Sequence, residues 1–446
     1  MELYSKGKNF KLYNGNMLDM LSEIKPNSID SIVTDPPYEI GFMCNDWDSA
    51  GISFQKATWE KCYTALKPGG HMLVFGSPRT FHRIACAIED AGFEIRDVIC
   101  WLYGSGFPKS MNIGLAVDKK NGVESKVVGY ADTTMPDFND AGHKNSKNKV
   151  GFNDGESAER KAQPIFEVQN EWQGWGTTLK PSYEPILMCR KPCEGTTVDN
   201  VLKWSVGGIN IDECRVPLEG EKQPKGSGNA CHSETEQKWG FIGNGGNTTS
   251  DLGRYPSNTI LTYDETDYDE VCGGFPDTKS TQSAGVKRNA RASDSVFDNS
   301  NCGFQNEVYD ENRVEGFNDS GSAARYFYCA KASKRDRDEG VQECGLKSNN
   351  HPTVKPQSLM QYLIRLVTPP HGTVFDPFTG SGSTGKATMY ENADRGVGYK
   401  FIGIELDKHH CDIATARISY AEGNPIMLDV EDKYKSEQPR NTLFDL

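Results

Sequence analysis

Residues 373–385 constrain the fold more than any other stretch of this 446-residue chain. Thr373-Val374-Phe375 is a short apolar run, followed by Asp376-Pro377-Phe378-Thr379 and then by Gly380-Ser381-Gly382-Ser383-Thr384-Gly385, which fits G-x-G-x-x-G. A second apolar run, Phe401 to Ile404, ends in Glu405, twenty residues beyond Gly385. A strand, a glycine turn, a helix and an acid closing the next strand make a nucleotide-binding α/β unit. The glycines admit a ligand close to the backbone, and the acid takes ribose hydroxyls. In a dinucleotide site the first glycine follows its strand closely and the helix N-terminus faces a pyrophosphate. Here Asp376 sets a carboxylate at the strand's end. It would repel pyrophosphate, yet it could pair with the ammonium of a methionine moiety, which favours S-adenosylmethionine over a dinucleotide.

The second constraining stretch is Thr34-Asp35-Pro36-Pro37-Tyr38, after the apolar run Ile29 to Val33. Each proline fixes its own φ and lacks an amide donor, and Pro37 pushes Pro36 toward an extended conformation. The stiff loop gathers the Asp35 carboxylate, the Pro36 carbonyl and the Tyr38 ring, two acceptors and one stacking face. A flat substrate bearing an amino group suits it. By itself the stretch reads equally well as a strand terminator with a locally packed tyrosine.

Around these two stretches the chain alternates strands and helices, the pattern of a parallel sheet covered on both faces. Strands are expected at Phe10 to Tyr13, His71 to Phe75 and Ile95 to Trp101. Helices are expected at Phe54 to Leu66, stopped by Lys67-Pro68-Gly69-Gly70, and at Phe81 to Ala91. Regular α/β character resumes near 351, with helices from Gln357 to Val367, after Ser383, and from Lys408 to Tyr420. Between them, 112–345 is rich in Gly, Asn, Ser, Asp and Lys, and 219–255 and 279–322 look loop-dominated. The organisation expected is 1–111 as one half of an α/β domain, 112–345 as an insertion, 346–430 as the cofactor-binding half, and 431–446 as a charged tail. The formal net charge of −13 argues against a generally basic nucleic-acid coat, though not against a local basic groove. Thirteen scattered cysteines suit a reducing compartment. Met1 to Phe10 lacks an apolar leader core, and no apolar run approaches membrane-spanning length. A cytoplasmic protein with no membrane partner is expected. Cys189, Cys193, Cys214 and Cys231-His232 are too irregularly spaced to indicate zinc, so no metal site is assigned.

Taken together, Asp35-Pro36-Pro37-Tyr38, the segment His351-Pro352-Thr353-Val354-Lys355-Pro356, and Phe375-Asp376-Pro377-Phe378 through Gly385 with Phe401-Ile402-Gly403-Ile404-Glu405 resemble the amino-methylating (N6-adenine or N4-cytosine) DNA methyltransferases of the permuted β arrangement. Gly104 to Ser110, Leu179 to Pro192 and Ala323 to Ala332 look like segments of phage- and prophage-type members. The resemblance implies a Rossmann-like α/β fold, a mostly parallel seven-stranded sheet with one antiparallel edge strand, and an inserted target-recognition region. It implies S-adenosylmethionine over Asp376, Pro377, Phe378, Gly380, Ser381, Gly382, Thr384 and Gly385, with Glu405 on the ribose and with Thr353 and Lys355 beside the methionine portion. Asn16 stands where relatives often carry an acid on the cofactor's adenine.

For the reaction, the resemblance implies catalysis by Asp35, Pro36, Pro37 and Tyr38. An exocyclic amine is a poor nucleophile because its lone pair is delocalised into the base. Hydrogen bonds from its two protons to Asp35 and the Pro36 carbonyl localise that pair, and in-line transfer then needs mainly positioning and electrostatics. A base within a duplex must flip out to reach such a loop. Tyr38 would stack on it, with Trp47 as a second wall or a core residue. Double-stranded DNA is the expected partner, held at phosphates by some of Lys119-Lys120, Lys144 to Lys149, Lys287-Arg288, Arg291 and Arg325 through Arg337. A homodimer is also common in this arrangement. Asp35 at the first motif position leans toward adenine N6 over cytosine N4 methylation. Methylation of a protein glutamine or of RNA, and a non-catalytic DNA-binding protein on the same fold, are the more distant readings.

Overall fold

The computed structural model describes residues 2–41, 48–103, 110–123, 126–131, 163–216, 253–263, 277–279, 320–322, 327–331 and 336–424. Trp47, Lys144 to Lys149, Cys231-His232, Lys287-Arg288, Arg291, Arg325 and the tail 431–446 lie outside them. So do residues 104–109 and most of 219–255 and 279–322.

Fourteen strands and eight α-helices occur among the described residues. The first part of the chain runs β1 (Glu2–Lys6), β2 (Phe10–Asn14), α1 (Met17–Met20), β3 (Ile29–Thr34), α2 (Lys56–Ala65), β4 (Leu66–Phe75), α3 (Phe81–Asp90) and β5 (Glu94–Tyr103). The middle contributes α4 (Ile113–Lys120), β6 (Lys126–Ala131), β7 (Gln163–Glu167), β8 (Tyr183–Arg190), α5 (Thr197–Trp204), β9 (Thr259–Tyr263), β10 (Asp277–Lys279), β11 (Ser320–Ser322) and β12 (Tyr328–Lys331). The last part is α6 (Gln357–Val367), β13 (Thr373–Asp376), α7 (Ser383–Arg395), β14 (Lys400–Glu405) and α8 (Lys408–Ala421).

One sheet dominates, in the order β1-β2-β14-β13-β3-β4-β8-β5-β9-β12. The contacts β2/β14, β14/β13, β13/β3, β3/β4 and β5/β9 are parallel. Among the described residues the sheet therefore has ten strands where seven are expected; the seven from β2 to β5 form its centre. The expected antiparallel edge strand is instead interior. β8 pairs antiparallel with both β4 and β5, and Ile186, Leu187, Met188 and Cys189 are buried there. β8 and β9 come from the polar stretch 112–345, yet they belong to this sheet.

Two layers of helices follow from the alternation of side chains along buried strands. Ile32, Met72, Val74, Phe375 and Ile404 pack with Met17, Trp59, Cys62 and Ile84 from α1 to α3. Val33, Leu73 and Val374, also buried, alternate to the other face, where α6 packs on β3, β4 and α7, and α7 packs on α8. As expected, α2 ends ahead of the breakers Lys67 to Gly70, which themselves form the first half of β4. Gly69 takes φ +77° and donates its N–H to the Lys191 carbonyl at 2.9 Å, while a register shift against β3 absorbs the irregularity.

The chain divides into two compact units. The first, Met1–Glu213 with Asn258–Asp267 and Cys329–Leu446, holds the motifs above. In the second, Cys214–Ser257 with Tyr268–Tyr328, β10 pairs antiparallel with β11. There Val216 and Arg254 exchange backbone hydrogen bonds at 2.9 and 2.8 Å.

Candidate active site

The strand order reverses direction between β13 and β3. From β13 the chain crosses through α7 to β14 on one side, and from β3 it crosses through α2 to β4 on the other. Such a switch point opens a crevice beyond the carboxyl ends of the two strands, where open α/β sheets bind ligands. Asp35 follows the last residue of β3, and Asp376 is the last residue of β13. The two motifs, more than three hundred residues apart in sequence, thus end neighbouring strands.

The Asp35 loop is tied down from outside. Ser53 Oγ donates to the Pro37 carbonyl at 2.6 Å and Thr80 Oγ1 to the Tyr38 carbonyl at 2.7 Å. Lys355 Nζ lies 2.6 Å from Asp35 Oδ2, 3.2 Å from the Tyr38 hydroxyl and 3.4 Å from Glu184 Oε2. Tyr38 in turn donates to Glu184 Oε2 at 2.7 Å, and Tyr103 approaches Oε1 at 3.3 Å. The ammonium sits among the rings of Tyr38, Phe75 and Trp101, with centroids 5.4, 5.0 and 6.0 Å away. Burial raises the proton affinity of Asp35, the Lys355 charge opposes this, and Glu184 adds to it. For Lys355, burial works against the charge, but Asp35 and Glu184 more than offset it and hold the ammonium above its ordinary range. Asp35 Oδ1 is buried and has no hydrogen-bond partner among the described residues. Such an atom is costly unless a ligand satisfies it.

At the end of β13 the outcome differs. Asp376 Oδ1 accepts from Thr34 Oγ1 at 2.7 Å and from the Phe378 N–H at 3.1 Å, and Oδ2 accepts from Thr384 Oγ1 at 2.7 Å. The side chain is 2% exposed, and burial pushes its carboxyl up to about 6. Its oxygens tie β3, β13 and the start of α7 together.

The glycine turn is built for close approach. Gly380 and Gly382 have φ of +52° and +82°, a region that favours glycine. A Cβ on Gly382 would stand 2.9 Å from Ala414 Cα, and one on Gly385 would stand 2.5 Å from Ile418 Cδ1, so these two glycines admit α8 against α7. Arg417 of α8, fully buried, donates to the Ser381 carbonyl at 2.6 Å and to Ser381 Oγ at 2.9 Å. Pro377 is buried and Phe378 half-buried. Glu405 Oε2 accepts from the Gly380 N–H at 2.7 Å and Oε1 from the Asp407 N–H at 2.8 Å. Burial pushes its carboxyl up to about 7.

These residues fit S-adenosylmethionine in the chemistry of their groups. Each Glu405 oxygen keeps acceptor capacity for a ribose hydroxyl, and the turn beside it presents backbone with little side chain. Asn16 stands at the start of α1. Its side-chain oxygen caps α1 by accepting from the Leu18 N–H at 2.9 Å. Thr353 is half-buried, its N–H 3.4 Å from His351 Nδ1. Lys355 reaches Asp35 and Glu184, the two carboxylates that compensate a buried ammonium.

Glu184 was not singled out from sequence, nor were Tyr103, Phe75 and Trp101. Only its position hinted at a role, as a lone acid in Tyr183-Glu184-Pro185 opening an otherwise apolar strand. Among the basic residues, Lys119 and Lys120 occupy the last turn of α4. Arg337 is used internally, donating to the carbonyls of Asn349 and His351. Cys189 and Cys214 are buried.

Among known proteins, the N6_N4_Mtase family, described as DNA methylase, matches residues 29–416. The type II methyltransferase M.HindIII of Haemophilus influenzae is 21% identical over 243 residues, covering 45% of this chain and 64% of that protein. M2.MboI of Moraxella bovis is 29% identical over 118 residues, 22% of this chain and 42% of that protein. The matched stretches thus span less than two thirds of either relative. Among solved structures, the cytosine-N4-specific PvuII DNA methyltransferase aligns over 96% of this chain and 99% of its own, at 13% identity and a TM-score of 0.40. The M1.HpyAVI-SAM complex aligns over 92% and 98%, at 15% identity and a TM-score of 0.36. No helix among the described residues is long and apolar enough to cross a membrane. With the family match extending over most of its length, the chain belongs to the N6/N4 family of amino-methylating, S-adenosylmethionine-dependent DNA methyltransferases.

Proposed function

We propose that the protein is a site-specific DNA adenine N6-methyltransferase. The observation that carries the proposal is Asp35 Oδ1, a buried acceptor without a partner among the described residues, on a loop whose proline carbonyl supplies a second acceptor. A flipped adenine presents its amino group to both, and Tyr38 stacks on the base. Lys355 holds the other oxygen of Asp35 at 2.6 Å, so the carboxylate has one orientation and a localised charge. Accepting the amine's protons draws its lone pair out of conjugation, and the positioned nitrogen becomes the nucleophile. S-adenosylmethionine supplies the methyl group when bound over Phe378 and Gly380 to Gly385. Glu405 takes the ribose hydroxyls, with Thr353 at the methionine side. An aspartate at the first position of the loop supports adenine over cytosine. The stretch 112–345 is the proposed target-recognition region, within which β8 supplies Glu184 to the catalytic half. A cytoplasmic location, a homodimer and a place in a restriction-modification system belong to the same proposal.

Incubating the protein with duplex DNA and S-adenosylmethionine, then analysing nucleosides by mass spectrometry, tests the reading. N6-methyladenine is expected. A product containing only 4-methylcytosine would overturn the base assignment, and label appearing only in protein or RNA would overturn DNA as substrate.

A further inference from the structure

One ammonium serves two carboxylates behind the catalytic loop. Lys355, 5% exposed, lies 2.6 Å from Asp35 and 3.4 Å from Glu184, and Glu184 also accepts from the Tyr38 hydroxyl at 2.7 Å. The loop reading above needs Asp35 and Tyr38 but gives Glu184 no task. Glu184 is half-buried, and a second carboxylate this close to the first makes each harder to ionise.

We propose that Glu184 is a positioning residue of the reaction: it anchors the stacking ring of Tyr38 and keeps Lys355 paired while Asp35 takes up the proton that the methylated amine must lose. The inference rests on the amine-methylation reading of Asp35. In the transfer, the amine nitrogen forms the new N–C bond with its lone pair. The electron pair of the old bond to the methyl group leaves with the sulfur, and the nitrogen carries the positive charge. One of its N–H protons then passes to Asp35 Oδ1, leaving a neutral secondary amine and a neutral carboxylic acid. Before the step the trio holds two half-buried carboxylates and one buried ammonium, an excess of one negative charge. Afterwards it holds one of each and is balanced. Without Glu184 the trio would start neutral and finish with Lys355 as a lone buried cation, which the low dielectric penalises heavily. Glu184 therefore makes proton uptake by Asp35 the step that relieves the excess charge.

The charged and titratable groups around Asp35 come from several elements. Lys355 precedes α6, Glu184 lies on β8 and Tyr38 on the loop itself. Tyr103 of β5 touches Glu184, and Asp376 of β13 and His351 stand in the surrounding field. Of these, Glu184 raises and Lys355 lowers the proton affinity of Asp35, so their removal should move it in opposite directions.

The test is the pH dependence of single-turnover methyl transfer to duplex DNA by the full chain. It is read beside the fluorescence of 2-aminopurine at the target base and the melting temperature. Glu184→Gln, nearly isosteric, is expected to move the acidic limb of the profile down by about one pH unit and to alter the 2-aminopurine signal as Tyr38 loses its anchor. Glu184→Asp should restore part of both. Lys355→Met should move the same limb up, which gives a second reading if Glu184→Gln folds poorly. A limb that stays in place in Glu184→Gln with wild-type fluorescence, or that moves upward, overturns the inference. If the wild-type protein methylates no amine in DNA, it is the proposed function that fails; a methylating wild type with an unmoved limb sinks the role of Glu184 alone.

Discussion

Asp35 and Asp376 occupy equivalent places, at the carboxyl ends of the neighbouring strands β3 and β13, each followed directly by proline. Their surroundings set them apart. Asp376 accepts three hydrogen bonds, two from threonine hydroxyls and one from a backbone amide. Asp35 has one oxygen clamped by Lys355 and the other buried without a partner among the described residues. The one is a completed structural joint and the other an unfinished one. Two Asp-Pro pairs that look alike in sequence are separated by a count of donors. They are also coupled, since the Thr34 hydroxyl preceding Asp35 is what binds Asp376.

Substitutions sharpen the contrast. Asp35→Ala is expected to lower the rate of methyl transfer by about 10³-fold, as loss of one pre-positioned acceptor does, measured in single turnover with labelled cofactor. Glu405→Ala should weaken S-adenosylmethionine about 100-fold, the cost of charge-assisted hydrogen bonds to ribose, measured by calorimetry. Because the Glu405 carboxyl is pushed up to about 7, it is ionised and fully accepting only above that pH. Cofactor affinity should therefore fall as pH drops through 7, and Glu405→Gln should flatten that dependence. An affinity flat across pH 6 to 8 in the wild type would remove Glu405 from the ribose. Asp376→Ala should cost about 3 kcal/mol of stability by leaving buried donors unpaired, read by denaturant unfolding. The smallest effect expected is that of Asn16→Ala, about 1 kcal/mol of stability from the lost cap on α1. A tenfold loss of cofactor affinity at unchanged stability would instead make Asn16 an adenine contact.

The sequence displayed what depends on neighbouring residues. The glycine turn with its flanking strand and acid, and the rigid Asp-Pro-Pro-Tyr loop, are local chemistry, and both stand where an α/β switch point puts them. It concealed what depends on long-range pairing. Nothing near Glu184 announces that β8 will run antiparallel between β4 and β5 and bring a carboxylate to Tyr38, 146 residues away. Lys355 sits in a motif associated with the cofactor, but burial opposite two carboxylates draws its ammonium to Asp35. The hydroxyl partners of Asp376, Thr34 and Thr384, are unremarkable in sequence. Lys67 to Gly70 end α2, as two glycines and a proline do for most helices, yet the same residues open β4. The sheet tolerates them through the positive φ of Gly69 and a register shift.

The most direct measurement sets the two aspartates side by side, recording methyl transfer to duplex DNA and thermal unfolding for Asp35→Ala and Asp376→Ala in parallel. The account predicts that Asp35→Ala keeps the melting temperature and loses transfer. It predicts that Asp376→Ala melts several degrees lower and, at a temperature where it is folded, still forms N6-methyladenine. Full methyl transfer by Asp35→Ala would contradict it.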